Sequence, residues 1–256
     1  MSGYKWLYST LLIISVFILT GCFRDASNIL PSATNPWRTI ATGLEDRTIE
    51  IDNNAIAQLY IVRIDPAQYR FEVHYTPSTP YYIEEWLNLL PDAKLIVNAN
   101  LFDANYNIVG LLIQNGIAYG WSYTDRGGTF AVKNNFPFIT HNIYQPFDTT
   151  GAQHAVQGFP MLVYNGTQAF DRFGGASRRT AIGQDSQGRI YIMVTPIFGP
   201  SLSDFSRFLA ESDLGLVNAF NLDGGRSTMI DVADADMTVR SLDRVPAVLA
   251  IYPIGE

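Results

Sequence analysis

A single cysteine, Cys22, stands in 256 residues, so the chain forms no internal disulfide. Charge is also scarce, at 16% of residues, and it leans acidic: 24 Asp and Glu against 17 Lys and Arg, a net charge of -7. That balance excludes nucleic acid as the expected partner, because phosphate backbones are held by clustered Lys and Arg. One local anion site is still compatible with it. Only three histidines occur, His74, His141 and His154. None has metal-ligand spacing, so each reads as a surface or core residue. The G-x-S-x-G elbow, the P-loop and the G-x-G-x-x-G turn are missing as well, which removes support from hydrolase-triad, nucleotide and dinucleotide readings.

What is present is mostly apolar. Hydrophobic residues make up 47% of the chain, enough to build a sizeable core in one large domain or two small ones. Near the N-terminus, "MSGYKW" is followed by the apolar run "LLIISVFILT", which has signal-peptide length and is too short to span a membrane. The run ends in Leu19-Thr20-Gly21-Cys22, which resembles a bacterial lipobox. The expected organisation is a lipoprotein signal peptide over 1–21, a lipidated Cys22 opening a tether over 22–45, and a folded domain over 46–256. The lipobox resemblance implies membrane attachment through acyl chains. It places the protein in the cell envelope, facing outward from an outer membrane or the cell surface.

Strand patterns dominate the remainder. "AQLYIVRI" and "YRFEVHY" alternate, while "KLIVNA" and "GLVNAFNL" read as buried strands. Asn115-Gly116 and Asn165-Gly166 are hairpin signals. Two segments have helical spacing. "YYIEEWLNLL" places Ile83, Trp86, Leu87 and Leu90 on one face before Pro91, and "SLSDFSRFLAESDLG" follows a Ser201 or Ser203 cap. The predicted fold is α+β: a single strand-rich domain with a mixed β-sheet or partial barrel and a few helices.

Three segments could carry chemistry. In "NAFNLDGGRSTM", an apolar strand runs into Asp223, two glycines, a cation and two hydroxyls. Gly224 and Gly225 suit a sharp turn with free N–H groups, and Arg226, Ser227 and Thr228 add donors. The plain alternative is a tight turn. In "NANLFD", Asn98, Asn100 and Asp103 follow a buried strand, where they also suit loop capping. In "ASRRTAIG", Arg178 and Arg179 enter an apolar strand ahead of Thr180, and an inward arginine needs an anionic partner from the protein or a ligand. "VQGFPMLVYNG", with Gly158 and Pro160 before a strand and hairpin, reads as scaffold near a pocket, and Gln157 is its one candidate ligand contact. The echo between "LIVNANLFD" and "GLVNAFNLD" suggests that Asp103 and Asp223 share one rim. Two carboxylates alone make a sparse divalent-cation site, and no cofactor is expected.

Taken in order, "NANLFD", "GLLIQNG", "GFPMLVYNG", "RRTAIG", "NAFNLDGGRST" and "RVPAVLAIY" resemble the phosphodiester glycosidase family over roughly Leu95 to Tyr252. That family breaks the bond between an anomeric carbon and a phosphate oxygen. The resemblance implies a carbohydrate or sugar-phosphate substrate. It implies Asp223 as base or nucleophile, Asp103 as second carboxylate and Arg179 as phosphate clamp. Asn98, Asn100, Thr180, Gly224, Gly225, Arg226, Ser227 and Thr228 become the expected substrate contacts. The chain departs from the family at Asn100 and Arg226, where glycine is usual. Two other readings stay open: a glycan-binding lipoprotein without catalysis, and a glycosidase acting on neutral polysaccharide.

Overall fold

Alternating apolar runs separated by Asn-Gly, Asp-Pro and Gly-rich turns fold back on themselves as antiparallel strands. The structure is a computed structural model that describes residues 36–52, 54–172 and 174–255. The signal segment, Cys22 and most of the tether lie outside the described residues. In chain order the elements begin with β1 (Arg38–Ala41), β2 (Leu44–Ile51), β3 (Asn54–Ile64), β4 (Tyr69–Tyr75), α1 (Ile83–Leu89) and β5 (Leu95–Asn98). Next come β6 (Leu101–Phe102), β7 (Ile108–Val109), β8 (Leu111–Gln114), β9 (Ile117–Gly120), β10 (Gly128–Lys133), β11 (Phe136–His141) and β12 (Ala152–Gly158). The chain continues with β13 (Met161–Tyr164), β14 (Thr167–Gln168), β15 (Thr180–Asp185), β16 (Ile190–Val194), α2 (Leu202–Glu211) and β17 (Leu216–Asn221). It ends with β18 (Ile230–Val232), β19 (Met237–Val239) and β20 (Ala247–Pro253).

An eight-stranded sheet has the order β1-β2-β3-β16-β15-β17-β13-β14. Two five-stranded sheets, β11-β10-β12-β8-β9 and β19-β18-β5-β20-β4, pack with it, and β6 pairs with β7 alone. The α+β class holds, with two corrections. Every strand pairing among the described residues is antiparallel, so the sheets are not mixed, and none closes into a barrel. The short turns explain the first point, since parallel neighbours need long crossovers. The domain also begins earlier than residue 46. Arg38–Ala41 pairs with β2, and the Arg38 guanidinium grips the buried Asp46 carboxylate.

The central core lies where the three large sheets meet, with Val62, Phe71, Leu95, Phe130, Ile192 and Phe220 in one cluster. Each helix covers an outer sheet face. In α1, buried Ile83 and Trp86 pack on Ile96 and Val248, and the Trp86 indole N–H donates to the Val245 carbonyl at 3.0 Å. In α2, the Ser201 hydroxyl caps the helix by accepting from the Asp204 N–H at 3.1 Å. Its Phe205 and Leu209 pack beneath the eight-stranded sheet, each contributing about 1.5–3 kcal/mol. Covered on both faces, β16 reads as the unbroken apolar run "IYIMV". Asn115-Gly116 and Asn165-Gly166 form hairpin turns with positive φ at both residues.

One close approach positions the site. Gly158, at the end of β12, presses against the end of β17. A Cβ there would sit 2.3 Å from the Asn221 carbonyl oxygen. Gly158→Ala is therefore expected to destabilise the domain by about 3 kcal/mol, the upper end for overpacking. Urea unfolding checks this, and a loss below about 0.5 kcal/mol, the range of neutral surface changes, contradicts the close approach.

Candidate active site

Three strand ends converge below one cleft. The chain leaves β17 at Asn221, and the next two residues are tied by backbone to two other segments. The Leu222 N–H donates to the Thr180 carbonyl at 2.9 Å, and the Asp223 N–H donates to the Ala99 carbonyl at 3.0 Å. The echo between the two Val-Asn-Ala segments is thus a real adjacency of strand ends. It does not extend to both carboxylates. Asp103 is exposed in the β6–β7 loop, where it accepts from the Asn105 and Asn107 N–H groups at 2.8 and 2.9 Å. The Asn107 side chain, with those N–H donors, holds its carboxyl below the usual carboxylate range. Asp103 caps its own loop and does not line the cleft with Asp223, so the expected carboxylate pair does not form. The sparse cation site built on that pair goes with it.

Asn98 is fully buried beneath Asp223. Its Nδ2 donates to the Asp223 carbonyl at 2.6 Å, and its Oδ1 accepts from the Thr180 hydroxyl at 2.9 Å and the Met229 N–H at 3.0 Å. The Thr180 hydroxyl also reaches Thr228 Oγ1 at 3.4 Å, and both threonines are buried. Asn98, Thr180 and Thr228 therefore form an interior knot that holds the Asp223 turn, not a substrate surface. Asn100 plays a parallel part. Fully buried, it donates to the Leu111 and Gln157 carbonyls at 2.9 and 3.0 Å, with no positive φ. Gln157 is also buried and joins the Leu111 and Tyr123 N–H groups, so it is scaffold rather than ligand contact.

The glycines of the turn do not offer an open nest. The Gly224 N–H donates to Asp223 Oδ1 at 2.9 Å, and the Gly225 N–H donates to the Arg178 carbonyl at 2.8 Å. Gly225 has φ +61, which explains the residue type. Arg178 in turn donates to the Gly225 and Arg226 carbonyls, so it braces the turn from outside. Ser227 is buried beside the Asp223 carboxylate. Arg226 points away from the cleft and grips Asp243 with two bonds of 2.7 Å. It neither narrows the cleft nor supplies it with a cation. Arg226→Ala should change stability little, as loss of an exposed pair does, and should change kcat/KM less than about threefold. A tenfold loss in steady-state assays would return Arg226 to the site.

What the fold does bring together is Asp223, Gly224, Gly225 and Arg179, on the wall of a cleft of about 1010 Å³. Burial pushes the Asp223 carboxyl up to about 6, against the pull of Ser227 and the Gly224 N–H, and the Asp243 charge adds slightly to the rise. Arg179 is buried. Its Nε donates to the Pro200 carbonyl at 3.0 Å and its Nη2 to the Gly175 carbonyl at 2.6 Å. No carboxylate pairs with it among the described residues, and burial lowers its pKa. An arginine stays charged in proteins, so this is a buried cation held only by carbonyl dipoles. Its Nη1 has no protein partner among the described residues. Asp223 makes no ion pair with it, and both line the same cleft.

Three cleft residues carry no signal that sequence reasoning used. His141, read as a surface or core residue, is buried and also lines the cleft. Arg126 lines it too, gripping Asp125 with bonds of 3.0 and 2.8 Å and lying over the Tyr123 ring. Asn221 is buried on the wall and keeps an Oδ1 without a partner among the described residues. Only Asn221 was findable, through its place in the "NLDGG" motif.

The fold and cleft define a strand-rich α+β domain with a carboxylate and an unpaired buried cation facing one ligand space. The sequence profile of the phosphodiester glycosidase family matches residues 91–252, and the chain belongs to that family. Among solved structures, it is similar to the catalytic domain of zebrafish N-acetylglucosamine-1-phosphodiester alpha-N-acetylglucosaminidase, auto-inhibited by its pro-peptide. The TM-score is 0.64 at 16% identity, covering 85% of this chain and 87% of that one. A hypothetical protein from Synechocystis matches with a TM-score of 0.59 at 14% identity, over 85% of this chain and 63% of that one. A protein from Burkholderia pseudomallei K96243 matches with a TM-score of 0.57 at 12% identity, over 77% of this chain and 74% of that one. At these identities the likeness concerns the fold. No curated protein matches the chain.

Proposed function

We propose that the cleft hydrolyses a sugar 1-phosphodiester, releasing the sugar from the phosphate. The observation that carries this reading is Arg179, a buried guanidinium with no carboxylate partner among the described residues, lining the same cleft as Asp223. A phosphodiester supplies the missing negative charge at a fixed distance from an anomeric carbon. The departing phosphate monoester is a far weaker base than an alkoxide, so little general-acid help is needed. This fits a site in which Asp103 has gone elsewhere. Asp125 is engaged by Arg126, and Asp171 is exposed at the cleft mouth. Asp223 then acts as base or nucleophile toward the oxocarbenium-like centre, and Arg179 holds the developing phosphate charge. Ordinary glycosidases need two placed carboxylates, which makes neutral polysaccharide the weaker reading.

The lipobox-like "LTGC" and the tether support a place in the cell envelope, held to a membrane through Cys22, where phosphodiester-linked glycans are available. The deciding assay offers α-linked sugar 1-phosphodiesters beside neutral aryl glycosides. Cleavage of the phosphodiester alone supports the reading. Cleavage of the neutral glycoside alone replaces it, and binding without turnover of either leaves a glycan-binding lipoprotein.

A further inference from the structure

Strand register gathers exposed apolar residues at one end of the domain. Asp223 and Arg179 stand where β17 finishes and β15 starts. Val194 pairs with Thr180, so β16 finishes at the same level, and the chain then runs through Ile197 and Phe198. Gly199 brings it back to the cleft wall, its carbonyl accepting the Ser177 N–H at 3.1 Å. The sheet β11-β10-β12-β8-β9 meets this end through Gly158 and Asn221. Gly158 pairs with Gly128, and Gly128 with His141, so β11 also finishes here and leads into Ile143 and Tyr144. β9 does the same. The Trp121 N–H donates to the Gly110 carbonyl at 3.0 Å, and Gly110 lies against Gln157, the neighbour of Gly158.

Trp121 is 86% exposed, Ile197 75% and Tyr144 66%, with Ile143 and Phe198 exposed beside them. Ile143 also lines the cleft, and Phe170 and Leu202 carry apolar surface inward from the mouth. Scattered single apolar residues are ordinary on a protein surface, whereas a set around one mouth marks an interaction site. The opposite end shows the ordinary case. Ile117 and Phe136 sit there on β9 and β11, the two edges of the sheet, four strand spacings or ~19 Å apart.

The domain is also entered at the mouth end. Pro36 shares a small pocket with Thr48 and Tyr60, and Tyr60 pairs with both Thr48 and Val194. Pro36 thus stands level with Thr180, four strand spacings or ~19 Å across the eight-stranded sheet. The segment headed by Cys22 joins the domain there. A net charge of -7 gives no attraction to anionic headgroups, so contact with lipid falls to apolar side chains, and Trp and Tyr suit the boundary between water and hydrocarbon.

We propose that this end is a lipid-contacting face: Trp121, Tyr144, Ile197 and Phe198 seat in the surface of a bilayer, and the cleft opens onto sugar phosphodiesters carried at that surface. The inference rests on the envelope and phosphodiester readings and adds the orientation of the cleft. To test it, an environment-sensitive fluorophore is coupled at Ile197→Cys, at Trp121→Cys or, at the opposite end, at Phe136→Cys. Each is made in the full chain with Cys22→Ser, so that only the new thiol reacts. In phosphatidylcholine vesicles, nitroxide-bearing lipids should quench the first two probes about threefold more than the third, as burial ~5–10 Å into the interface implies. Equal quenching at all three sites, none at any, or more at Phe136 overturns the face. So do spectral shifts at Ile197 and Trp121 that need no vesicles and grow with protein concentration, because they assign the face to a second copy. Activity gives a separate reading. Ile197→Ser combined with Phe198→Ser should lower kcat/KM by about fivefold or more on α-N-acetylglucosamine 1-phosphate esterified to a long-chain alcohol in vesicles, and by less than about twofold on the soluble methyl ester. Equal losses on both esters overturn the face. If neither ester is cleaved, the hydrolytic reading fails by itself and the quenching decides the face.

Discussion

Asp223→Asn is expected to lower turnover of a sugar 1-phosphodiester by about 10²–10⁴-fold while making the folded domain more stable above pH 6. The two effects share one cause. Burial raises the carboxyl from 3.8 to about 6 in the folded chain. The folded state therefore binds the proton more tightly than the unfolded state does. Its contribution to stability is fully present below the unfolded value and is lost as pH rises through the folded one, an amount of at most about 3 kcal/mol for a partly solvated group. Asparagine has no charge to desolvate, keeps the shape, and preserves an acceptor for the Gly224 N–H. Thermal melts at pH 5 and pH 8 should show the variant gaining more on the parent at the higher pH. The parent's kcat/KM should fall below about pH 6 as the carboxylate is protonated. Full activity in the variant removes Asp223 from the chemistry. A parent more stable than the variant at pH 8 contradicts the buried charge.

Arg179→Met should produce the second largest change, a loss of about 10²–10³ in kcat/KM on phosphodiesters. Its stability effect should be small or favourable without ligand, because among the described residues the buried guanidinium meets two carbonyls and no carboxylate. Arg179→Lys should not rescue activity, since the forked geometry that meets both carbonyls and an anion is absent from an ammonium group. Sulfate supplies an independent readout. It should raise the melting temperature of the parent by occupying the clamp, and should leave Arg179→Met unmoved. Equal sulfate responses in both proteins place the anion elsewhere.

Much of the architecture was legible locally. The two helices, the Asn-Gly hairpins and the buried strands through "LIVN" and "IYIMV" follow from period and turn chemistry, which act over a few residues. Strands with charged or polar faces were harder. "LEDRTIEI" straddles the expected domain boundary at residue 46, and Asp46 is buried there because Arg38 and Tyr60 satisfy it from other strands. Their partners lie 8 and 14 residues away, beyond any local pattern.

The site divides the same way. Asp223 and Arg179 stand out because a strand end followed by Asp-Gly-Gly, and an arginine entering an apolar run, are unusual in themselves. Which of the remaining polar residues touch ligand is a matter of hydrogen-bond competition, and sequence cannot rank competitors. Asn98, Asn100, Thr180 and Thr228 had protein partners nearer than any substrate. Asp103 found the N–H groups of its own loop, and Arg226 found Asp243. His141 reads as a surface or core residue because nothing in "FPFITHN" marks it for the cleft. Its place arises from the pairing of β11 with β10 and β10 with β12, which sets Gly158 against Asn221. By itself, then, the sequence determined the class of fold, the family and the carboxylate and cation at its centre, since short-range pattern and residue chemistry suffice for these. Only the tertiary structure decided which polar groups remain unpaired, because that depends on every partner the chain brings within three ångströms.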